Sequence, residues 1–459
     1  MKDYRGYSFW LETAGDLTPR PSLPGPMTVD VAILGAGFTG LWTAYYLLGH
    51  DPSLRVVILE KEIAGFGASG RNGSWCSSVF PVSPRELVRR FGRESTLALA
   101  DAMRDTVDEV DRVCIAEGIN PQFVKGGCLR LARGRQQLPA LEAVLESYRL
   151  LGIGERVRML SPAETAERVR VNGVVAGLYA ADCATVHPGR LVRGLATAVE
   201  RRGGTVFEQT EVTGFTPGAA PRLRTAHGDV QARAIVLAGE AYLTRLPQLH
   251  RQLLPLYSLI VLTEPLGSDI WAEIGWKGHE CISSMRYTVD YLARTADDRI
   301  LFGSRGAPYH WDSRIEDQFD RHPATHEMIR RMVVDWFPSL RGVSFTHTWG
   351  GPVGMPRDWM PSVQYDSRTG IAAAFGYTGQ GVATSNLSGR ILADLIAGRR
   401  SALGSLPQVG HRPPLWEPEP LRWLAVRYAQ HAFEAVDRRA ERSGRPPSGK
   451  SIIERLARH

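Results

Sequence analysis

Apolar positions along this chain come in short continuous runs that end in turns of small residues. Val29-Asp30-Val31-Ala32-Ile33-Leu34 reads as a buried strand, stops at Gly35-Ala36-Gly37-Phe38-Thr39-Gly40, and is followed by a helical pattern from Leu41 to Leu48. A second apolar run, Val56 to Leu59, ends at Glu60, 20 residues beyond Gly40. Strand, G-x-G-x-x-G turn, helix, strand and acid in this register predict a dinucleotide cradle. Gly35 permits the tight turn, Gly37 lets the backbone approach a pyrophosphate, and Gly40 lets the helix pack with its N-terminus facing the phosphates. Glu60, followed by Lys61, is placed to bind ribose hydroxyls and disfavours a 2′-phosphate.

The remaining pattern predicts a discontinuous architecture. Residues 1–28, with Tyr4, Tyr7, Phe9 and Trp10 ahead of four prolines from Pro19 to Pro26, read as an arm extended over the surface. The small-residue stretch Gly65-Phe66-Gly67-Ala68-Ser69-Gly70-Arg71-Asn72-Gly73-Ser74 is too long for a simple turn and reads as a ligand loop. A charged helical pattern follows from Pro84 to Glu117, then a strand over 123–132, a helix over 190–202 and short strands at 205–208 and 212–215. Ala234 to Gly239 is again a buried strand running into small residues, and residues 253–346 alternate strands and turns as an antiparallel sheet does. Gly370 to Gly381 repeats strand then glycine-rich turn, ahead of a helix over 382–397. We therefore expect an α/β, two-domain chain: an arm at 1–28; a Rossmann-like dinucleotide domain from 29–84, 150–250 and 345–400; an inserted antiparallel-sheet substrate domain from 85–149 and 251–344; and a basic helical extension at 401–459. In that extension Leu421, Leu424, Ala425, Tyr428, Ala432 and Ala435 form one stripe, expected to dock on the body.

Composition narrows the function classes. With 459 residues and 43% hydrophobic content the chain can build a sizeable core without staples. Its five cysteines, Cys76, Cys114, Cys128, Cys183 and Cys281, have no C-x-x-C spacing, which argues for a reducing compartment and against a structural metal site. No apolar run approaches the roughly 18 residues of a membrane span, and the expected location is cytoplasmic. The net charge is +7, but residues 401–459 hold ten Lys plus Arg against six Asp plus Glu, a surplus of four. The body is nearly balanced, so no nucleic-acid partner is expected.

With these pieces in order the chain resembles the D-amino-acid oxidase superfamily of FAD-dependent amine and amino-acid oxidoreductases, over roughly residues 8 to 400. The resemblance is carried by GAGFTG with Glu60, GFGASGRNGS at 65–74, Thr263-Glu264-Pro265-Leu266, Arg299 to Gly303, Trp349-Gly350-Gly351 and GYTGQGVATSNLSG at 376–389. It implies FAD, held by Gly35, Ala36, Gly37, Phe38, Thr39, Gly40, Glu60 and Lys61 at the adenosine end. It further implies Gly67, Ala68, Ser69, Arg71, Asn72, Gly73 and Ser74 along the bridging loop, Val212 near the adenine, and Gly239. Gly376, Tyr377, Thr378, Gly379, Gln380, Gly381 and Val382 would lie at the flavin pyrimidine edge. No cysteine stands beside Trp349, so the FAD is expected to be noncovalent. Amino-acid oxidases of this superfamily carry an arginine clamp after a Trp-x-Gly segment; here Pro352 and Val353 follow, which points to an amine without an α-carboxylate.

The implied reaction is hydride transfer from the amine α-carbon to flavin N5, with hydrolysis of the imine. O2 or another acceptor would then take the electrons, since Lys277 lies away from the segment where an oxygen-activating lysine is expected. Tyr257, Tyr287, Trp349 and Tyr377 are the catalytic-pocket candidates, with Trp75 and Tyr291 as further aromatic walls and Arg286 and Asp290 as binders of a remote polar group. His347 and Cys76 read as packed residues. Two alternatives are a monooxygenase using NAD(P)H and an amino-acid oxidase or dehydrogenase of the same superfamily.

Overall fold

The structure is a computed structural model that describes residues 2–305, 308–449, 451 and 454. Its first sheet has six strands in the order Ser362–Asp366, Ile371–Phe375, Ala234–Leu237, Val31–Leu34, Val56–Leu59 and Thr205–Phe207. Every pair is parallel except the edge pair Ser362–Asp366 with Ile371–Phe375. The central strands are apolar at almost every position because both faces are covered. Val31, Ile33, Ile58 and Val236 pack against the helices Phe38–His50, Pro188–Arg201 and Gly381–Ile396. Ala32, Val57, Ile235 and Leu237 face the opposite way, onto Phe215, Leu223 and Val230 of a small four-stranded sheet.

The second sheet has eight strands, in the order Phe345–Met355, Leu254–Thr263, Ile300–Arg305, Asp290–Arg294, Cys281–Ser284, Cys128–Arg133, Val174–Ala180 and Val157–Leu160. It is antiparallel except where Cys281–Ser284 runs parallel to Cys128–Arg133. The helix Pro323–Trp336 covers one side through Ile329, Val333 and Trp336. The architecture is the expected parallel sheet interrupted by a mainly antiparallel one.

These pairings move three segments across the expected boundaries. The helix Pro84–Ala116, kinked at Gly92, buries Leu99, Met103 and Val107 in the core of the parallel sheet, so it belongs there and not with 85–149 of the substrate side. Strands Val157–Leu160 and Val174–Ala180 extend the eight-stranded sheet, and Phe345–Met355 is its edge, although 150–250 and 345–400 were expected in the dinucleotide domain. Long-range pairing decides membership, and hydrophobic periodicity does not report it.

Both termini also differ from expectation. The arm is not extended over the surface: Phe9–Glu12 is helical and Phe9, Trp10 and Leu11 are buried between the sheets. The C-terminal helix Leu421–Ser443 docks through Arg422, Val426, Asp437 and Ala440, while the expected stripe residues Leu421, Leu424 and Tyr428 are exposed. Polar contacts hold this face to the body: Arg422 lies 3.6 Å from Asp312, and Asp437 accepts from the backbone N–H groups of Tyr287 (2.9 Å) and Thr288 (2.8 Å). Among the described residues no helix is long and apolar enough to cross a membrane.

The helices Phe38–His50 and Gly381–Ile396 touch at Gly389, where a Cβ would stand 2.6 Å from Trp42 Cβ and 2.9 Å from Thr43 N. Gly389→Val is expected to cost about 2 kcal/mol or more through overpacking, read as a lower midpoint in urea denaturation.

Candidate active site

The parallel strands deliver their C-terminal ends to one cavity of 530 Å³. At its floor Gly35 has φ +98°, and a Cβ there would lie 2.9 Å from Ala238 O. A Cβ on Gly40 would lie 2.0 Å from Gly35 O, so the helix start rests directly on the turn and no side chain fits between them. Glu60 accepts from Ala36 N and Glu62 N, each at 2.9 Å, and burial pushes its carboxyl up to about 7. Beside it Lys61 pairs with Glu211 at 2.7 Å.

The small-residue loop closes over this turn. Ser69 Oγ accepts from Phe38 N at 2.9 Å, and Asn72 Nδ2 donates to Ala68 O and Ser69 O, both at 3.1 Å. Asn72 Oδ1 in turn accepts from Ser74 N at 2.9 Å. Arg71 is buried: Nε donates to Phe66 O at 2.7 Å, Nη1 to Asp320, and its guanidinium sits 4.2 Å from the Phe66 ring centroid. Its Nη2 is buried with no acceptor among the described residues. Burial pushes the Asp320 carboxyl up to about 6 even with that partner.

At the other end the turn 376–379 uses three positive φ values, Gly376 (+87°), Thr378 (+53°) and Gly379 (+94°), to aim the start of the helix Gly381–Ile396 into the cavity. Tyr377 joins the two ends, its hydroxyl 2.9 Å from Thr39 Oγ1. Glu240 lies beneath this turn and accepts from Gly376 N at 2.8 Å. Burial pushes its carboxyl up to about 7, against the pull of the Gly376, Tyr377 and Gly354 N–H groups.

Of the expected cofactor residues, Gly35, Gly37, Phe38, Thr39, Glu60, Lys61, Gly67, Ala68, Ser69, Arg71, Asn72, Gly73, Val212, Gly239, Tyr377, Thr378, Gly379, Gln380, Gly381 and Val382 line the cavity. Ala36, Gly40, Ser74 and Gly376 stand one layer back and shape it through their backbones. The aromatic candidates are less uniform. Tyr377, Tyr291 and Trp75 line the cavity. Trp349 lies behind Arg71, donating Nε1 to Arg71 O at 2.9 Å within a core that includes Trp10. Tyr257 and Tyr287 instead line a second, larger cavity of 1740 Å³, where Tyr257 packs on Phe319 and Tyr287 stacks on Phe433. His347 pairs with Glu12 of the arm at 2.9 Å, and Cys76 is fully buried. Glu240, Tyr242 and Arg305 also line the cavity and were not singled out. Glu240 directly follows the strand-end glycine, the one local signal that could have found it. Among the described residues no cluster of His, Cys, Asp and Glu could hold a metal.

With glycine-lined turns and helix starts at both ends of one cleft and a carboxylate at its floor, the fold is that of an α/β dinucleotide-binding protein. The chain belongs to the DAO family of FAD dependent oxidoreductases, whose model matches residues 30–395. It is 28% identical to gamma-glutamylputrescine oxidoreductase of Escherichia coli (strain K12), across 88% of this chain and 92% of that enzyme. It is also 28% identical to the probable oxidoreductase OrdL of Haemophilus influenzae, across 85% of this chain and 88% of that protein. Among solved structures, L-proline dehydrogenase from P. horikoshii superposes with a TM-score of 0.68 at 19% identity, covering 83% of this chain and 96% of that one. Glycine oxidase from Geobacillus kaustophilus gives 0.67 at 22% identity, covering 84% and 99%. FAD is the cofactor.

Glu240 has a pH signature. Its folded pKa of about 7 lies above the ordinary 4.5, so the folded state holds the proton more tightly and this group's contribution to stability is lost as pH rises from 4.5 through 7. Glu240→Gln removes the titration. The stability of the variant relative to the parent is expected to rise between pH 5 and 8 in denaturant titrations at fixed FAD, and a pH-independent difference would refute this.

Proposed function

We propose that this FAD-dependent oxidoreductase oxidises the C–N bond of an amine that lacks an α-carboxylate. The observation that carries the reading is the cavity wall formed by Gly351, Pro352 and Val353, where the family resemblance expects an arginine clamp and this chain presents apolar and backbone surface. The names of its relatives, gamma-glutamylputrescine oxidoreductase and glycine oxidase, support amine chemistry.

The lining fits FAD. The orphaned Arg71 Nη2 calls for an acceptor-rich ligand, and Gly37 lines the cavity at the start of the helix, where it leaves the backbone open to a pyrophosphate. When bound, FAD supplies the two-electron acceptor for C–N oxidation. Glu60 would accept from the ribose hydroxyls, the N–H groups at the start of Phe38–His50 would hold the pyrophosphate, and those of 378–382 would meet the pyrimidine edge. Tyr291, Trp75 and Tyr377 then wall an enclosed space. Tyr291 is fixed by Ser258, hydroxyl to Oγ 2.9 Å, and its ring leaves no room for a Cβ on Gly73 or Gly303. Such a space excludes water and favours the neutral amine whose lone pair drives the oxidation.

Anaerobic titration of the yellow holoenzyme with primary, secondary and poly-amines, amino acids and NADPH is the test. Amines are expected to bleach the flavin band; bleaching by NADPH alone would move the protein to the monooxygenases, and bleaching by α-amino acids alone would return it to the amino-acid oxidases. Glu60→Ala is expected to weaken FAD retention by about tenfold or more, measured as flavin released on dilution; unchanged retention would remove Glu60 from the ribose site.

A further inference from the structure

The loop 65–74 that closes over the cofactor cavity is itself held from outside by the arm. Ser8 Oγ donates to Gly70 O at 2.7 Å and Trp10 Nε1 to Asn72 O at 2.8 Å. The arm therefore ties down the backbone of a loop whose other side, through Phe66, Ser69 and Arg71, lines the cavity. Phe9, Trp10 and Leu11 anchor this attachment in the core. Residues 2–7 continue beyond the anchor and cross the rim. Lys2 Nζ donates to Glu62 Oε1 at 3.1 Å and to Asp317 Oδ2 at 3.0 Å. Glu62 follows a strand of the parallel sheet, whereas Asp317 belongs to a segment whose Phe319 packs against the core of the eight-stranded sheet. Tyr4 donates to Glu62 Oε2 at 3.0 Å, Tyr7 to Asp317 Oδ2 at 2.7 Å, and Arg321 Nη2 to Gly6 O at 2.5 Å.

These contacts stand between the cavity and solvent. Lys2, Glu62, Phe66 and Asp317 line the cavity, yet the side chains of Lys2 and Asp317 keep 30% and 51% of their surface exposed. Two cations close on the same two rings: Lys2 Nζ lies 4.4 Å from the Phe66 centroid and 4.8 Å from that of Tyr7, and the Arg71 guanidinium 4.2 Å and 4.9 Å. Arg71 is bonded in turn to Asp320, in the same short helix as Asp317. Glu62 N donates to Glu60 Oε1 at 2.9 Å, which puts the cluster beside the acid proposed to hold the ribose. Arm, loop and the 317–320 segment thus meet at the adenosine end of the cavity.

A dinucleotide held under the loop leaves only when the loop lifts, and the loop lifts only when the arm lets go. Each contact joins protein groups to protein groups, so the closure resists passage inward as much as outward. At an exposed rim each is individually weak, which makes residues 2–7 the part of the closure that opens first while 9–11 stay anchored in the core. We propose that residues 2–7 form a strap that gates exchange of FAD, with Lys2 pinning it across the rim to Glu62 and Asp317. The strap concerns the cofactor alone and is independent of the substrate.

The test dilutes the holoenzyme and follows free-flavin fluorescence to its plateau, reading the rate of approach and the plateau separately. Lys2→Met, alone or combined with Tyr7→Phe, is expected to reach the plateau about fivefold faster or more, with the plateau itself little changed. Unchanged rates would overturn the strap. So would a plateau shifted in proportion to the rate, which marks a lost cofactor contact and not a lost barrier. The converse comes from fixing the strap shut. The five native cysteines are all buried, so a chain carrying Lys2→Cys and Asp317→Cys takes up a short bismaleimide at those two positions. Linking is expected to slow the approach to the plateau about fivefold or more relative to the same protein unlinked, and equal rates would overturn the proposal. Circular dichroism and the urea midpoint confirm that each variant is folded.

Discussion

The carboxylate of Glu240 is the joint on which the rest of the site depends. It stands where the parallel strand Ala234–Leu237 ends, accepts from Gly376 N at the end of a neighbouring parallel strand, and is also drawn to the N–H of Gly354 on the edge of the antiparallel sheet. Two segments, each more than 100 residues beyond Glu240 in sequence, therefore meet on this one acid. The positive-φ turn at 376–379, the helix start behind it and the wall of 351–353 take their positions from that meeting. A buried group of this kind stabilises through geometry that hydrophobic contacts alone do not fix, since satisfied polar bonds select one arrangement of the two sheets.

The legibility of the sequence follows the range of each interaction. The β-α-β unit at 31–59 was readable because its signals are local: apolar runs, glycines that steric contact requires, and an acid at fixed spacing. The glycine-rich turn before Gly381–Ile396 was readable for the same reason. The allocation of 84–116, 157–180 and 345–355 between the sheets was not, because register between distant strands leaves no periodic trace. Trp349 and Tyr257 were misleading for a related reason. An aromatic beside a glycine-rich segment looks the same whether it faces a ligand or, like Trp349, braces Arg71 from behind. Arg305 carries no local signal because its place in the cavity wall comes from the pairing of the strand Ile300–Arg305 with distant strands.

The C-terminal helix shows how charge can reverse a hydrophobic reading. Its aliphatic stripe predicted one buried face, yet Asp437 and Arg422 are buried and Leu421, Leu424 and Tyr428 are not. Asp437 gains two backbone N–H bonds at 287–288, and charge-assisted bonds of that kind hold this face to the body while the large Leu421, Leu424 and Tyr428 side chains stay in solvent. The helix lies beyond the stretch matched by the family model, so part of the wall of the larger chamber is built from residues outside that stretch.

The strand Val31–Leu34 has a temporal consequence. Its neighbours are Val56–Leu59 on one side and Ala234–Leu237 on the other, and the latter is flanked in turn by Ile371–Phe375. During synthesis the first strands therefore wait through roughly 200 residues for one edge to be covered and still longer for the next, with their apolar faces and unpaired amides exposed meanwhile. A dinucleotide that meets the chain before residue 234 is made finds only half a cradle.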